Sequence, residues 1–337
     1  MNKTSKFKLI LYMIFSNLFL FIALTSDYTL EIMKNNTWYS PIFVFLGYIF
    51  LILIIPTNNK HLIKKVYSSK LFHIVLKAYL LIQSIILIYL GTIFYSSYVN
   101  FDISIILFIL ISILLSNVLS NKGLVNLINL SSIFFMICLI LYIIPIVSNT
   151  DRYTNYLLPI SFDLEYLFLI FILIFIPVDN IIYLIFHNYT YKPLTKKDLI
   201  IFGGLFFLLL TYIYTDLFTL LSYKIYDDYN LSFFFHWQIY NDNKYVSNYD
   251  IALLFIMLIS FIFKLAGNSF LFKLFSKKKK MFKTYLLLFI APLILYYIDL
   301  SIIESTKIIL YALSFMGLLL FTIYTIIIRR KSNETIN

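Results

Sequence analysis

Long apolar runs separated by short polar breaks constrain this chain more than any other feature. A helix needs roughly 20 predominantly apolar residues to cross a hydrocarbon core of about 30 Å. Of the 337 residues, 61% are hydrophobic and 13% are charged, and a water-soluble fold could not bury that much apolar surface. The runs lie near residues 9–24, 39–55, 71–94, 103–119, 124–147, 166–186, 199–221, 251–275, 284–298 and 308–328. They predict an all-α integral membrane protein with ten transmembrane helices.

The positions of the lysine and arginine residues test this count, because these residues collect in cytoplasmic loops. With the N-terminus inside, the segments predicted to be cytoplasmic carry Lys3, Lys6, Lys8, Lys60, Lys64, Lys65, Lys70, Lys122, Lys192, Lys196, Lys197, Lys277 to Lys280, Lys283, Arg329, Arg330 and Lys331. The predicted outer segments carry only Lys34, Arg152, Lys224, Lys244 and Lys307. If the count were wrong by one span, every later loop would lie on the opposite side of the membrane, and this separation of the charges would be lost. The charges therefore predict ten spans with both termini in the cytoplasm, and they favour a first span over a cleaved signal peptide.

The same composition argues against several classes of function. The net charge of +11 is distributed between the spans and does not cluster on one face, so no nucleic acid partner is predicted. The single cysteine, Cys138, and four scattered histidines show no ligand spacing, so neither a metal nor another cofactor is predicted. No nucleophile elbow or phosphate-binding glycine loop occurs in the sequence. A membrane-bound enzyme for glycan or lipid substrates stays open only if Asp179, Asp216 or a loop acid supplies acid/base chemistry.

Four ionisable residues fall well inside the predicted spans, where a charge costs at least about 2.5 to 3.5 kcal/mol. The side chains of Lys77 and Asp216 lie near enough to the ends of their spans to reach the interface. Lys264, in contrast, lies near the middle of the eighth span, about 16 to 20 Å from either end by helical rise. Gly267 and Asn268 follow it on the same helix face. This polar strip predicts that a cavity or a buried anion faces Lys264.

The sixth span carries a proline and an acid in the stretch FIPVDNII. Pro177 lacks a backbone donor and predicts a kink or a break in the helix. Broken helices inside membranes line cavities that bind substrates and ions. Because Asp179 lies two residues after the proline, we hypothesise that Asp179 and Lys264 face one shared cavity. The alternatives are a plain proline kink with a locally paired Asp179, and a structural ion pair that fixes two helices.

Polar residues in other spans complete the set of candidates. Ser16 and Asn17 interrupt the first span and mark a matching break there. The predicted ligand-binding residues are therefore Asp179, Asn180, Lys264, Gly267, Asn268, Ser16 and Asn17. Interhelical hydrogen bonds are predicted for Gln83, Ser84, Asn126 and Asn129. The aromatic segment 222–250 is predicted to be an interfacial or re-entrant helix, with a partner surface or ligand lid as the alternative.

The stretch YDIALLFIMLISFIFKLAGNSF resembles a segment of the GerAB-type endospore germination permeases, which belong to the amino acid/polyamine/organocation transporter superfamily. In that segment an acid is followed fourteen residues later by a lysine, with aromatic residues just before it. The matching residues here are Asp250, Lys264, Phe261 and Phe263. The proline and acid of the sixth span, the basic loop after them and the sequence LLPI before them are similar to the family as well. The resemblance therefore extends over most of the chain.

Two positions depart from the family pattern. The glycine-containing break of the family's first helix is absent around Ser16 and Asn17, and Asn248 stands where the family usually has an arginine. For the fold, the resemblance implies a LeuT-like arrangement with broken helices 1 and 6. Ten spans divide into two inverted repeats of five, at about residues 9–147 and 164–328 of a single polytopic membrane domain.

The resemblance also implies a function. Such a chain would be the transporter-like subunit of a germinant receptor in a bacterial cell membrane or spore inner membrane. Its partners would be a larger A subunit, a C-subunit lipoprotein and membrane lipids. The ligand would be a small nutrient, most often an amino acid, bound at the midplane between helices 1, 3, 6 and 8. A proton- or ion-coupled amino acid permease is the alternative, since it shares the fold.

Overall fold

The structure is a computed structural model that describes residues 3–54, 69–99, 104–148, 163–180, 189–192, 194–220, 231–234, 249–275, 281–298 and 301–333. These residues are helical apart from short connections and one isolated parallel bridge between Thr4 and Thr190. The helices are α1 (Lys6–Ser26), α2 (Ser40–Ile54), α3 (Lys70–Phe94), α4 (Ile105–Asn121), α5 (Leu124–Ser148), α6 (Leu164–Ile174), α7 (Lys196–Leu220), α8 (Tyr249–Phe275), α9 (Met281–Tyr297) and α10 (Ile302–Asn333). A short helix, Tyr28–Met33, and a 3-10 turn, Lys34–Tyr39, join α1 to α2.

The prediction of an all-helical chain with membrane-length helices is confirmed within the described residues. Each of the ten predicted runs coincides with all or part of a helix. Seven helical stretches are long and apolar enough to cross a membrane, whereas α4 and α9 are shorter. The helix α6 has 11 residues, and the rest of its predicted span, 181–186, lies outside the described residues. The seven stretches support membrane insertion, and the count of ten spans in two repeats stays a prediction.

The helix α1 forms the centre of the bundle. Its side chains are buried continuously from Leu9 to Ser26, and it packs against α5, α7 and α8. An all-round apolar helix of this kind requires neighbours or lipid on every side. In contrast, α4 lies at the periphery, where Leu114 and Val118 are 53% and 54% exposed. Such exposed apolar residues are costly in water but match the hydrocarbon of a bilayer.

A stripe of serines lets α4 approach α8 closely. Ser112, Ser116 and Ser120 recur every four residues, so they share one face of the helix, and all three are buried. The hydroxyls of Ser116 and Ser120 donate to the carbonyls of Ile113 and Asn117 within α4, at 2.9 and 2.8 Å. Small side chains with internally satisfied hydroxyls bring two helix backbones together in a membrane. This contact fixes α8, which carries Lys264.

One end of the bundle is rich in lysine, and we call it the lysine-rich end. The helices α1, α3, α5 and α7 begin there, and α4 and α8 end there. The carboxylate of Asp198 at the start of α7 accepts from the backbone N–H of Thr195 (2.6 Å) and from Lys6 Nζ (2.8 Å). Thr195 and Asp198 thus form a capping box, which satisfies donors at the helix start. Charge sidedness predicts that this end faces the cytoplasm.

Candidate functional site

Lys264 and Asp179 form a buried ion pair, which matches the alternative of a structural ion pair, and the shared cavity predicted for these residues stays a prediction. The ammonium of Lys264 donates to Asp179 Oδ2 and, at 2.6 Å, to Oδ1 of Asn17. The exposed fractions of Lys264 and Asp179 are both 2%. A charge in such surroundings is stable only when it is paired and hydrogen-bonded. The pair joins α8 to the segment that follows α6, and Asn17 joins both to α1.

The interruption at Pro177 places Asp179 in this position. The α-helix ends at Ile174, and residues 176–180 form a 3-10 turn. The freed carbonyls have partners, since Ile176 O accepts from the Tyr79 hydroxyl (3.1 Å) and Pro177 O from the Asn180 amide (3.0 Å). Because the chain turns more tightly after Ile174, it presents Asp179 and Asn180 to α1 and not to lipid.

The end of α6 is fixed by α10. The hydroxyl of Ser314 donates to the carbonyl of Ile172 at 2.9 Å, which satisfies an acceptor of the last helical turn. Gly317, one turn further along α10, lies so close that a Cβ atom there would be 2.2 Å from the carbonyl oxygen of Phe175. This glycine therefore permits the backbone contact that supports the turn carrying Asp179.

Asn17 is the centre of the hydrogen-bond cluster. Its amide nitrogen donates to the carbonyl of Met13 (2.7 Å) and to Oδ1 of Asn180 (3.2 Å), while its oxygen accepts from Lys264. We call Asn17, Asp179, Asn180 and Lys264 the Lys264 cluster. The structure thus brings together four of the predicted ligand-binding residues, from three separate parts of the chain.

The predicted break in helix 1 is wrong, because α1 is continuous from Lys6 to Ser26. The stretch around Ser16 and Asn17 contains neither glycine nor proline, so the backbone keeps its helical path. Ser16 lies outside the Lys264 cluster, and its hydroxyl makes a contact of 3.4 Å with the carbonyl of Met13 in its own helix. Of the two residues predicted to mark a break, only Asn17 contacts the ion pair.

Asn268 lies one turn beyond Lys264 but contacts a different helix. Its amide donates to Oε1 of Gln83 (3.0 Å) and to the hydroxyl of Ser84 (3.2 Å), both in α3. These bonds agree with the interhelical role predicted for Gln83 and Ser84. Asn268 is thus an indirect neighbour of the ion pair, and Gly267 beside it is buried.

The two asparagines of α5 have different roles. Asn129 accepts from Lys8 Nζ of α1 at 3.2 Å, as predicted for an interhelical contact. Asn126, in contrast, is exposed, and its amide donates to the carbonyl of Lys122, four residues earlier in the sequence, at 2.8 Å. The interhelical role predicted for Asn126 is therefore wrong, because its side chain turns back along its own segment.

The other ionisable side chains of the predicted spans lie apart from the Lys264 cluster. Lys77 is half-buried in α3, which agrees with a side chain that extends toward the interface. Asp216 is buried in α7, where its charge acts on Tyr212, one turn away. The side chain of Asp250 lies outside the described residues. Among the described residues, no group of His, Cys, Asp and Glu could hold a metal ion.

The sequence did not point to two tyrosines near the ion pair. The charge of Asp179 acts on the hydroxyls of Tyr48 in α2 and Tyr79 in α3, and both residues are fully buried. Neither Asp179 Oδ1 nor the Tyr48 hydroxyl has a hydrogen-bond partner among the described residues. With 29 tyrosines in the chain, nothing in the sequence distinguishes these two. The second carboxylate oxygen of Asp179 is thus an open acceptor in a closed environment.

Aromatic rings surround the charged groups. Phe263 packs against Phe15, and Phe261 packs against Phe19, with ring centroids 5.7 and 5.5 Å apart. These contacts place packed aromatic rings between α1 and α8 in the turn of α8 that precedes Lys264.

Comparison with known protein families, curated proteins and solved structures finds no match to this chain. The chemistry of the Lys264 cluster is therefore the basis for a functional conclusion.

Proposed function

We propose that this chain is a transporter-like membrane subunit of a spore germinant receptor that senses a small zwitterionic nutrient of the amino acid class. The observation that carries the proposal is the Lys264–Asp179 ion pair, which is buried where α1, α8 and the interrupted end of α6 meet. A membrane protein pays a large desolvation cost for such charges, which are functional candidates by default. The GerAB-type resemblance of Lys264 and Asp179 supports the same reading.

The cluster offers complementary groups for an amino acid. The ammonium of Lys264 suits a carboxylate, and Asp179 Oδ1 is available to accept from an α-ammonium group. The amides of Asn17 and Asn180 supply both donors and acceptors. A zwitterion bound here would pair its carboxylate with Lys264 and its ammonium group with Asp179. These two contacts would replace the Lys264–Asp179 ion pair and so loosen the link between α8 and the end of α6.

Signalling then follows from differential binding. A ligand that binds the loosened arrangement better than the paired one shifts the population toward it. Partner subunits, proposed here to be a larger A subunit and a C-subunit lipoprotein, would respond to the new packing of α1, α6 and α8. No covalent chemistry is needed for this role.

Ligand binding to the purified chain tests the proposal. We expect an amino acid to raise the midpoint of thermal unfolding of the native chain, and we expect Lys264→Met and Asp179→Asn to abolish that shift. Lys77→Met is the matched control, since it also removes an intramembrane lysine but lies outside the cluster. In spores, Asn17→Leu should abolish germination in response to the same amino acid. A shift that persists in both cluster variants would overturn the proposal.

A proton- or ion-coupled amino acid permease is the second candidate. It is favoured by the pairing itself, because an ion that competes for either charge would break the ion pair and so couple to transport. Uptake of labelled amino acid into vesicles containing only this chain would support the permease. Binding without uptake, together with co-purification of a lipoprotein partner, would support the receptor.

A further inference from the structure

A continuous set of polar groups leads from the Lys264 cluster toward the lysine-rich end. The first step is Tyr79, whose hydroxyl donates at 3.1 Å to the Ile176 carbonyl, in the turn that carries Asp179, and accepts from the Gln83 amide at 3.2 Å. Gln83 Oε1 in turn accepts from Asn268, at 3.0 Å. All three side chains are buried between α3 and α8. The hydrogen-bonded polar groups thus extend away from the ion pair along the α3–α8 contact.

The next step is a small cavity beside Asn268. It has a volume of about 10 Å³, and its polar lining consists of Ser84, Asn268, Ser269, Thr284 and Tyr285, from α3, α8 and α9. A cavity of roughly 10 to 15 Å³ is just large enough for one water molecule, provided that at least two polar partners are present. This cavity has five polar residues around it. Leu81, Phe272 and Leu288 complete the lining. The size of the cavity therefore matches a single bound water, for which the five polar residues supply partners.

The last step reaches the lysine-rich end. The hydroxyl of Tyr285, which lines the cavity, donates to Oδ1 of Asn117 at 2.8 Å. The same oxygen accepts from Lys273 Nζ at 2.6 Å. Lys273 also donates to Asn121, at 2.6 Å, and Asn121 is exposed at the end of α4. The polar groups therefore continue from the centre of α8 to the surface.

Burying this many polar side chains inside a membrane costs free energy unless each one is hydrogen-bonded or hydrated. A helix that only packed against its neighbours would carry apolar residues at these positions, as α4 does on its outer face. Instead, Lys264 and Asn268 share one face of α8, and Ser269 and Lys273, also four residues apart, share a second face, since adjacent residues of a helix differ by about 100° in direction. The two faces meet at the cavity, which Asn268 and Ser269 both line. Ionisable and polar side chains inside a membrane typically face water-filled cavities.

We propose that Lys264, Asn268, Ser269 and Lys273 of α8, together with Tyr79, Gln83, Tyr285 and Asn117, form a narrow hydrated route that connects the Lys264 cluster to the lysine-rich end. Its ligand is water, and the cavity beside Asn268 is the site of one bound molecule. Through this route the ion pair exchanges water with the side that charge sidedness predicts to be cytoplasmic. The inference goes beyond the proposed function, because it concerns hydration of the pair and not the nutrient.

Radiolytic hydroxyl-radical labelling of the native chain tests the route without any substitution. Radicals form from water at the point of irradiation, so a buried tyrosine is labelled only if water lies beside it. Tyr79 is in the route, and Tyr214 is the control, since both have an exposed fraction of 0%. We expect Tyr79 to be labelled faster by on the order of tenfold, equivalent to about 1.4 kcal/mol in barrier height. Equal labelling of the two tyrosines would overturn the proposal.

Silver-ion protection of engineered thiols gives a second test. In a Cys138→Ala background, which removes the single native thiol, Ser269→Cys places a thiol beside the cavity. Ser131→Cys in α5 is the control, because Ser131 is also buried and its hydroxyl donates to the Ile128 carbonyl of the same helix at 2.9 Å. Silver applied from the lysine-rich side should block the first thiol and spare the second. Equal reactivity of both thiols would contradict the route, whereas loss of nutrient binding would overturn only the proposed function.

Discussion

The hydroxyl of Ser260 in α8 accepts a hydrogen bond from the backbone N–H of Phe19 in α1, at 3.2 Å. The same hydroxyl donates to the carbonyl of Phe15, at 2.6 Å. Phe15 and Phe19 are the two residues whose backbone groups an α-helix normally joins to each other. Ser260 thus bridges one step of the α1 ladder, beside Asn17 and one turn before Lys264. This contact sets the position of α1 relative to the ion pair.

The bridge predicts that Ser260→Ala destabilises the chain only slightly. Interhelical hydrogen bonds inside membranes contribute about 0.6 kcal/mol on average, because alternative partners exist. In this case the Phe19 N–H can return to the Phe15 carbonyl within α1. We expect a loss of about that size in unfolding free energy, measured by denaturant titration in detergent micelles. Ser131→Ala, which removes a bond internal to α5, should have no measurable effect, and a larger loss there would contradict the assignment.

Removal of one member of the ion pair should have a much larger effect. Lys264→Met leaves the Asp179 carboxylate buried without its counter-charge, which typically costs about 3 to 5 kcal/mol. Asp179→Asn leaves the ammonium in the same situation. The double variant carries no buried charge and should recover most of the loss, as a double-mutant cycle would show. If the double variant were no more stable than the single variants, the two charges could not be partners.

Gly317→Ala should disturb the turn that carries Asp179. The added methyl group would lie 2.2 Å from the Phe175 carbonyl oxygen, so α10 or the turn has to shift. Overpacking of this kind costs about 1 to 3 kcal/mol. Gly204→Ala in α7 is the control, because its methyl group would meet Phe45 at an ordinary 3.5 Å. Thermal unfolding should show a lower midpoint for the first variant and an unchanged or slightly higher one for the second.

The capping box of α7 predicts a moderate effect for Thr195→Ala. Its hydroxyl is 2.7 Å from Asp198 Oδ2, and the loss of an N-cap side chain costs about 1 kcal/mol. Thr211→Ala is the matched control in the same helix, where the hydroxyl donates to the Phe207 carbonyl of the preceding turn at 2.8 Å. Hydrogen exchange of the first turn of α7 should accelerate in the first variant alone. Unchanged exchange there would show that the box does not stabilise the helix.

Much of the candidate site could be predicted because its signals are local. A lysine in the middle of an apolar run and an acid next to a proline are visible without any partner, since the cost of burying a charge depends on the run around it. The hypothesis that Asp179 and Lys264 face one shared cavity combined two such signals. The structure brings the two side chains into direct contact, and the cavity stays a prediction.

Other parts of the site depend on helix rotation and could not be predicted. Ser16 and Asn17 are adjacent, yet only Asn17 points to Lys264, since neighbouring residues in a helix differ by about 100° in direction. Tyr48 and Tyr79 are ordinary aromatic residues of apolar runs until the fold places their hydroxyls near Asp179. Ser260 contacts α1 because α8 crosses it at that level, and no local pattern encodes the crossing.

The sequence by itself determined the helical class, the positions of the apolar runs and the charged residues that need partners, because these follow from the free energy of transferring each local segment from water to hydrocarbon. Tertiary structure decided which groups meet: Asn17 with Lys264, Asn268 with α3, and Ser260 with an unbroken α1. Those choices arise from the packing of helices that are distant in sequence, where side-chain size, such as that of Gly317 and the α4 serines, sets how closely two backbones approach.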